Sequence, residues 1–368
     1  MSVLTRLRLT DFRNYQRLDL PLDGRHVCLF GANGAGKTNL LEAITQLGPG
    51  RGLRGAAISE LTRHGAAGGW TVSGDLGDRK IGVGLDLQGS SAKRAVRMDG
   101  ETVNSSDLAE LVRIVWLTPA MDGVFRGGAS DRRRFYDRQV MAHVPSHGPA
   151  AGRYEKAMRE RNALLERGPV DAAWAEAIEA RMAEAGAEIA FNRAFVLERL
   201  KQVMADRTEG AFPKAILSLD GETEHRAADG ESLDALAAHL RDTYGAMRGA
   251  DIRAGRTLKG PHRTDLDVVH APTGAPAREA STGQQKALLI GLILASAAAL
   301  KQGDQGPTPL LLLDEAAAHL DADRRAALYD ELHAVGGQAW LTGTEPFLFE
   351  AFGNRAQLVS VQSGEAGG

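Results

Sequence analysis

The sequence predicts an α/β protein: a mixed sheet built around a phosphate loop, with a short helical hairpin standing as a separate arm lobe. Three observations carry that expectation. Residues 31 to 38, Gly-Ala-Asn-Gly-Ala-Gly-Lys-Thr, fit the phosphate-loop pattern G-x-x-x-x-G-K-[ST]. Leu310-Leu-Leu-Leu-Asp-Glu315 is an apolar run ending in two carboxylates, the form of a Walker B strand. Between Arg153 and Met204, strand formers give way to Ala, Glu and Arg with apolar residues at helical spacing.

The loop stands in the right setting. His26-Val-Cys-Leu-Phe30 reads as a buried strand leading in, and Thr38 to Ile44 as the first turns of a helix leading out. Glycines let the backbone curl until successive N–H groups point at one phosphate oxygen, and the helix N-terminus adds partial positive charge there. The expected nucleotide-binding residues are therefore Gly31, Ala32, Asn33, Gly34, Ala35, Gly36, Lys37, Thr38 and Asn39. Lys37 would reach the β- and γ-phosphates of ATP, and the Thr38 hydroxyl would ligate Mg²⁺.

Composition sets the surroundings. A chain of 368 residues with 43% apolar content suffices for one large domain or two lobes. The single cysteine, Cys28, rules out disulfides within the chain and points to a reducing cytosol. Met-Ser-Val-Leu-Thr-Arg-Leu-Arg-Leu at the start lacks the apolar segment of a signal peptide. The apolar run from Ala287 to Leu300, bracketed by Lys286 and Lys301, is too short to span a bilayer and reads as a buried core helix, so no membrane is expected. A net charge of −3 gives the whole molecule no general attraction for nucleic acid, so such binding needs local patches.

In chain order, Leu4, Leu7 and Leu9, then Leu18, Leu20 and Leu22, alternate with polar residues around a turn at Asp11-Phe-Arg-Asn14. Two strands are expected there. Gly48 to Arg54 is too glycine-rich for regular structure; its Arg51 and Arg54 either face nucleotide or DNA or are solvated charges. Residues 68 to 118 read as a meander of short strands with a hairpin turn at Asp99-Gly100 and a last strand at Ile114 to Leu117. In Asp131-Arg-Arg-Arg-Phe-Tyr-Asp-Arg138 the arginines either pair within the fold or meet phosphate.

Helical spacing continues to Leu164 and Leu165, stops at Gly168-Pro169, and resumes through Trp174, Ile178, Met182, Ala185, Ile189, Val196 and Leu200. An antiparallel hairpin at 151–210 is expected, with a discontinuous nucleotide-binding head at 1–150 and 211–368. Between Arg241 and Arg263 six basic residues (Arg241, Arg248, Arg253, Arg256, Lys259 and Arg263) face only Asp242 and Asp251, as a solvated surface or a phosphate-binding one.

In the second half of the motif set, Asp314 would hold Mg²⁺ and Glu315 would polarise the attacking water. His319-Leu-Asp321 follows, and Ser281-Thr-Gly-Gln-Gln285 opens the apolar helix as a second anion-seeking N-terminus. A second such site in a chain with a complete loop suggests that two chains share each nucleotide. Gly31 to Glu42, Gly260-Pro-His-Arg-Thr-Asp-Leu266, Ser281 to Lys286 and the stretch from Asp314 to Asp321 together resemble the ATP-binding-cassette ATPases of the chromosome-maintenance branch, in its recombination-and-repair group. The likeness spans nearly the full chain.

The resemblance implies an ABC-type ATPase head in a cytoplasmic protein that dimerises when ATP is bound. It implies binding to DNA, duplex and single-strand/double-strand junctions, and, with RecR and RecO, the loading of RecA onto gaps. Lys37 and Thr38 would bind phosphate and Mg²⁺, Asp314 would be the Walker B acid, and Glu315 and Lys37 would be catalytic. Ser281, Gly283, Gln284 and Asp321 would bind nucleotide, with Ser281 and Gly283 sensing the γ-phosphate held by the other chain. Three positions depart from the family pattern: Thr264 replaces a usual Asp, Thr282 a frequent Gln, and Leu341-Thr-Gly-Thr344 stands where transporter cassettes carry a switch histidine. A threonine hydroxyl carries no charge, which implies slow hydrolysis suited to a timer. Transporter ATPases usually show Ser-Gly-Gly-Gln and need a membrane partner. Chromosome organisers need a coiled coil far longer than this arm.

Overall fold

The computed structural model describes residues 3–86, 93–105, 107–166, 171–302, 306–318 and 320–367. Two compact units divide the chain: Met1–Asp122, Glu209–Phe212 and Leu289–Gly368 form the first, Gly123–Thr208 and Pro213–Leu288 the second.

The first unit opens with β1 (Leu4–Phe12) and β2 (Tyr15–Pro21), antiparallel, with Leu7 opposite Leu20 and Leu9 opposite Leu18. Period-two alternation puts these leucines on one buried face. The turn between the strands holds Asp11 (φ 48°) and Arg13 (φ 54°) in the left-handed region. Then come β3 (His26–Phe30), α1 (Lys37–Gln46), β4 (Thr71–Leu76), β5 (Arg79–Asp86), β6 (Lys93–Met98) and β7 (Glu101–Thr102). The antiparallel sheet runs β2-β1-β4-β5-β6-β7. Asp99 and Gly100 join β6 to β7 with positive φ at both positions (51° and 92°), the turn whose twist matches the strands. After α2 (Leu108–Leu111), β8 (Ile114–Leu117) leaves the meander for a second sheet. Ile114, Val115 and Leu117 are all buried, too apolar a run for a strand with one wet face.

The second unit holds α3 (Ala129–His143), α4 (His147–Leu165), α5 (Ala172–Asp206), β9 (Ala215–Asp220), α6 (Glu222–Ala228), α7 (Leu233–Ala254), β10 (Asp265–His270) and β11 (Ala275–Pro276). α4 and α5 make the expected hairpin, although its Gly168-Pro169 turn lies outside the described residues. The unit is larger than 151–210. Leu236, Leu240 and Tyr244 of α7 share a core with Ile178, Met182, Ala185 and Ile189 of α5, and a three-stranded sheet β11-β10-β9 belongs to it. Helix α5 is apolar over more than the one stripe that a two-helix hairpin covers, so a third helix closes on it. Trp174, expected on the apolar face, is 56% exposed near the start of α5.

Two buried arginines of this unit are partnered on every side, as burial of a charge requires. Arg161 donates to Glu179 (3.0 Å), Asp251 (2.6 Å), Thr257 (2.9 Å) and the Tyr244 carbonyl (2.9 Å). Arg193 donates to both Asp137 oxygens (2.7 and 2.9 Å), to Glu224 (2.8 Å) and to the Pro261 carbonyl (2.8 Å). Thr264 completes this cluster by donating to Glu224 at 2.8 Å. An aspartate at 264 would instead set a second carboxylate beside Glu224. Arg132 forks onto Asp265 (2.9 and 2.6 Å) and Arg133 donates to the Thr264 carbonyl (2.7 Å), so both serve the fold.

The Gly-Pro-His-Arg segment is fixed by close approach. A Cβ on Gly260 (φ 126°) would meet the Tyr154 hydroxyl oxygen at 2.6 Å. His262 Nε2 donates to the Thr257 carbonyl (3.1 Å), which can only accept, and Nδ1 accepts from the Tyr154 hydroxyl (2.7 Å). Burial pushes His262 down to about 4. In the first unit His26, whose Nδ1 accepts the Ala339 N–H, is likewise pushed by burial to about 4. Both folded values lie below the unfolded one. The stability they contribute is therefore full above pH 6.5 and is lost as pH falls toward 4, by up to roughly 3 kcal/mol each. Melting temperature should fall across that window; a flat profile from pH 7 to 4.5 would contradict neutral, buried His26 and His262.

The chain returns to the first unit along α8 (Thr282–Gln302), followed by β12 (Leu310–Leu313), α9 (Ala322–Val335), β13 (Ala339–Gly343), β14 (Ala356–Gln362) and β15 (Glu365–Gly367). α8 is long and apolar enough to cross a membrane, but 78% of its most apolar window is buried, as in a core helix. The second sheet runs β15-β14-β3-β13-β12-β8, parallel except for β15. One core cluster ties Leu40, Leu41 and Ile44 of α1 to Leu7 and Leu20 of the first sheet and to Val27, Leu312 and Trp340 of the second.

Candidate nucleotide-binding site

In an open parallel sheet the ligand crevice lies beyond the carboxyl ends of the strands. Here β3 delivers the phosphate loop, β12 delivers Asp314 and Glu315, and β13 lies between them. Gly31 (φ 148°) is required by contact, because a Cβ there would meet the Val361 carbonyl oxygen at 2.2 Å. Gly36 (φ 117°) caps α1 in the left-handed region, with Asn14 pressed where a Cβ would go. Ala32, Asn33 and Gly34 form the exposed rim of the loop, and Ala35 and Gly36 its buried floor.

Lys37 folds along the loop, donating to the carbonyls of Gly31 (2.6 Å) and Ala32 (2.9 Å). Burial pushes its ammonium below the usual lysine range, while Glu315 and Asp314 pull the other way. The Thr38 hydroxyl lies 3.0 Å from each oxygen of Asp314. A hydroxyl and a carboxylate converging beside a phosphate loop suit Mg²⁺, a hard cation that takes few protein ligands and draws the rest from phosphate and water. Among the described residues no three His, Cys, Asp or Glu side chains cluster as an all-protein metal cage.

Several residues that sequence reasoning did not single out hold this loop. The β1–β2 turn places Asn14 beneath it: Asn14 donates to the Ala35 carbonyl (3.1 Å) and accepts from Asn39 (2.7 Å). Tyr15 donates to the Gly36 carbonyl (3.1 Å), and the Gly364 N–H donates to Ala35 (3.1 Å). Asn39, expected to bind nucleotide, thus braces the loop and also accepts from Arg54 (2.8 Å). Arg13 forks onto buried Glu42 at 2.8 Å on both arms, and Arg54 joins at 2.8 Å, so Arg54 is neither free nor merely solvated.

The switch-histidine position is resolved by geometry. Thr342 is buried, and its hydroxyl accepts the Glu315 N–H (2.8 Å) and donates to Asp314 (2.7 Å); Thr344 is exposed. Asp321 caps α9, accepting the Arg324 N–H at 2.8 Å. His319 lies outside the described residues. In the second unit Ser281 and Gln284 form a reciprocal capping box on α8: Gln284 accepts the Ser281 N–H (2.9 Å) and Ser281 accepts the Gln284 N–H (3.3 Å). Gly283 beside them is exposed with open space around its Cα.

Comparison with known proteins agrees with this architecture. Residues 3–350 match the family described as RecF/RecN/SMC N terminal domain. The DNA replication and repair protein RecF of Agrobacterium fabrum is 50% identical over 372 residues, covering 98% of this chain and 97% of that one. The solved recombination mediator protein RecF-ATPrS in the RecFOR pathway superposes with a TM-score of 0.83 at 23% identity, over 99% of this chain and 98% of that one. The Smc head domain from Pyrococcus furiosus, with an extended coiled coil and bound to ScpA, gives a TM-score of 0.53 at 16% identity, over 100% and 95%. The fold is that of an ABC-type ATPase head, and the chain belongs to the RecF family of DNA replication and repair proteins.

Proposed function

We propose that the chain is an ATP-driven switch in recombinational gap repair and replication-fork maintenance. An ATP-bound homodimer recognises gapped DNA at single-strand/double-strand junctions. With RecR and RecO it promotes loading of RecA, and slow, DNA-stimulated hydrolysis resets it in the cytoplasm. The observation that carries this reading is the Thr38 hydroxyl set against the Asp314 carboxylate beside the phosphate loop, with the charge of Glu315 near enough to act on Lys37. Family membership and the printed description of a solved relative as RecF-ATP support it.

The loop backbone and Lys37 bind the triphosphate, the strongest contacts being charge-assisted. Thr38 and Asp314 would hold Mg²⁺, which when bound neutralises charge on the β- and γ-phosphates. Glu315 accepts the proton of the attacking water. Ser281 and Gly283 of one copy sense the γ-phosphate of the nucleotide held by Lys37 of the other, with Gln284 and Asp321 also binding nucleotide, so ATP closes the dimer.

Arg241, Arg253, Arg256, Lys259 and Arg263 are exposed and form the proposed DNA surface, whereas Arg248 is committed to Glu179 (2.5 Å) and leaves it. The test is binding of the purified protein to gapped, duplex and single-stranded DNA, with and without ATP. Preference for gapped DNA with ATP is expected. The doubly substituted Arg253→Glu, Arg256→Glu protein should lower the slope of log affinity against log salt by about two. An unchanged slope would move the DNA surface elsewhere.

A further inference from the structure

The strand register brings β13 level with the Walker B pair. Leu313 is opposite Leu341, so the next residues, Asp314 and Thr342, fall side by side. Thr342 is 1% exposed, which leaves its hydroxyl no water to bond. It bonds both halves of the pair instead, accepting the Glu315 N–H at 2.8 Å and donating to Asp314 Oδ1 at 2.7 Å. Glu315 has φ 52°, a left-handed conformation that costs free energy in a residue with a side chain and persists only where neighbours enforce it. The Thr342 hydroxyl is the side-chain group that bonds the Glu315 backbone N–H in that conformation. Through the same oxygen it fixes the rotation of the carboxylate that Thr38 also touches.

We propose that Thr342 is a positioning residue for hydrolysis, clamping the Glu315 backbone and the Asp314 carboxylate in one geometry. It needs no charge for this, because it acts on the protein's own acids rather than on phosphate. The inference rests on the reading of this site as an ATPase centre. Valine has nearly the shape of threonine but cannot bond, so Thr342→Val leaves a buried N–H and a carboxylate oxygen each short of a partner. Thr342→Ser keeps the hydroxyl.

The experiment measures steady-state hydrolysis, affinity for a fluorescent ATP analogue in EDTA and in Mg²⁺, and melting temperature. The wild type, Thr342→Val, Thr342→Ser, Thr344→Val and Glu315→Gln are compared. Thr342→Val should lose roughly 10- to 100-fold in kcat with KM little changed, the scale of one bond to a charged group. Its affinity in EDTA should match the wild type, while the gain on adding Mg²⁺ shrinks. Thr342→Ser should restore both kcat and the Mg²⁺ gain, and exposed Thr344→Val should change neither. Three results would overturn the inference: wild-type kcat and Mg²⁺ gain in Thr342→Val, no rescue by serine, or a matched fall in melting temperature and EDTA affinity, which marks a purely structural role. If the wild type neither binds nor hydrolyses ATP, the ATPase reading fails and takes this inference with it. Normal hydrolysis by Glu315→Gln would leave the ATPase reading standing but assign the base to another residue, which overturns the role of Thr342 in placing it.

Discussion

Glu315→Gln is expected to bind ATP and close the dimer, yet to hydrolyse at least roughly 10²-fold more slowly than the wild type. Glutamine keeps the shape of the side chain and removes only the proton acceptor. The backbone bond from residue 315 to Thr342 is untouched, and so is the contact between Thr38 and Asp314 that fits Mg²⁺. Lys37 likewise keeps its place on the loop carbonyls. Binding and turnover should therefore separate: sedimentation with ATP shows a dimer, single-turnover assays show little product, and the DNA-bound form persists. Near-normal turnover would assign the base to another residue.

Local chemistry made much of the first unit legible. Alternating leucines gave β1 and β2 because a strand shows its period directly in the chain, and Gly31 and Gly36 sit where the Val361 carbonyl and the Asn14 side chain admit no Cβ. Partners distant in sequence were not legible. Asn14 reaches Ala35 only because a turn with two left-handed residues aims it there. Thr342 meets Asp314 through the register of two parallel strands, which nothing in either stretch encodes alone. In the second unit, helical spacing located α4 and α5 but not α7, because an apolar face does not name what covers it. For the same reason Trp174 read as core and is exposed, and Arg248 read as surface and is paired with Glu179. Ser281 and Gln284 were singled out as ligands for nucleotide; their capping box shows that the same pair also starts α8.

The proposal that two chains share each nucleotide is tested most directly by mixing two proteins expected to be inactive alone. Lys37→Ala removes the charge-assisted contact to the triphosphate, and Ser281→Arg obstructs the end of α8 that would face the other copy's nucleotide. As a homodimer each variant carries damage in both composite sites, so each should be inactive with its fold intact. In a mixed dimer both lesions fall in one site and the other is assembled from undamaged parts. Random pairing in an equal mixture makes about half the dimers mixed, each with one good site, so about a quarter of the wild-type ATPase rate should return. ATP-driven dimerisation of the mixture, followed alongside, separates a failed contact from a requirement that both sites fire together. Recovery near a quarter is the expected result; no recovery of either dimerisation or hydrolysis, in variants shown to exchange subunits, would contradict a nucleotide shared between two chains.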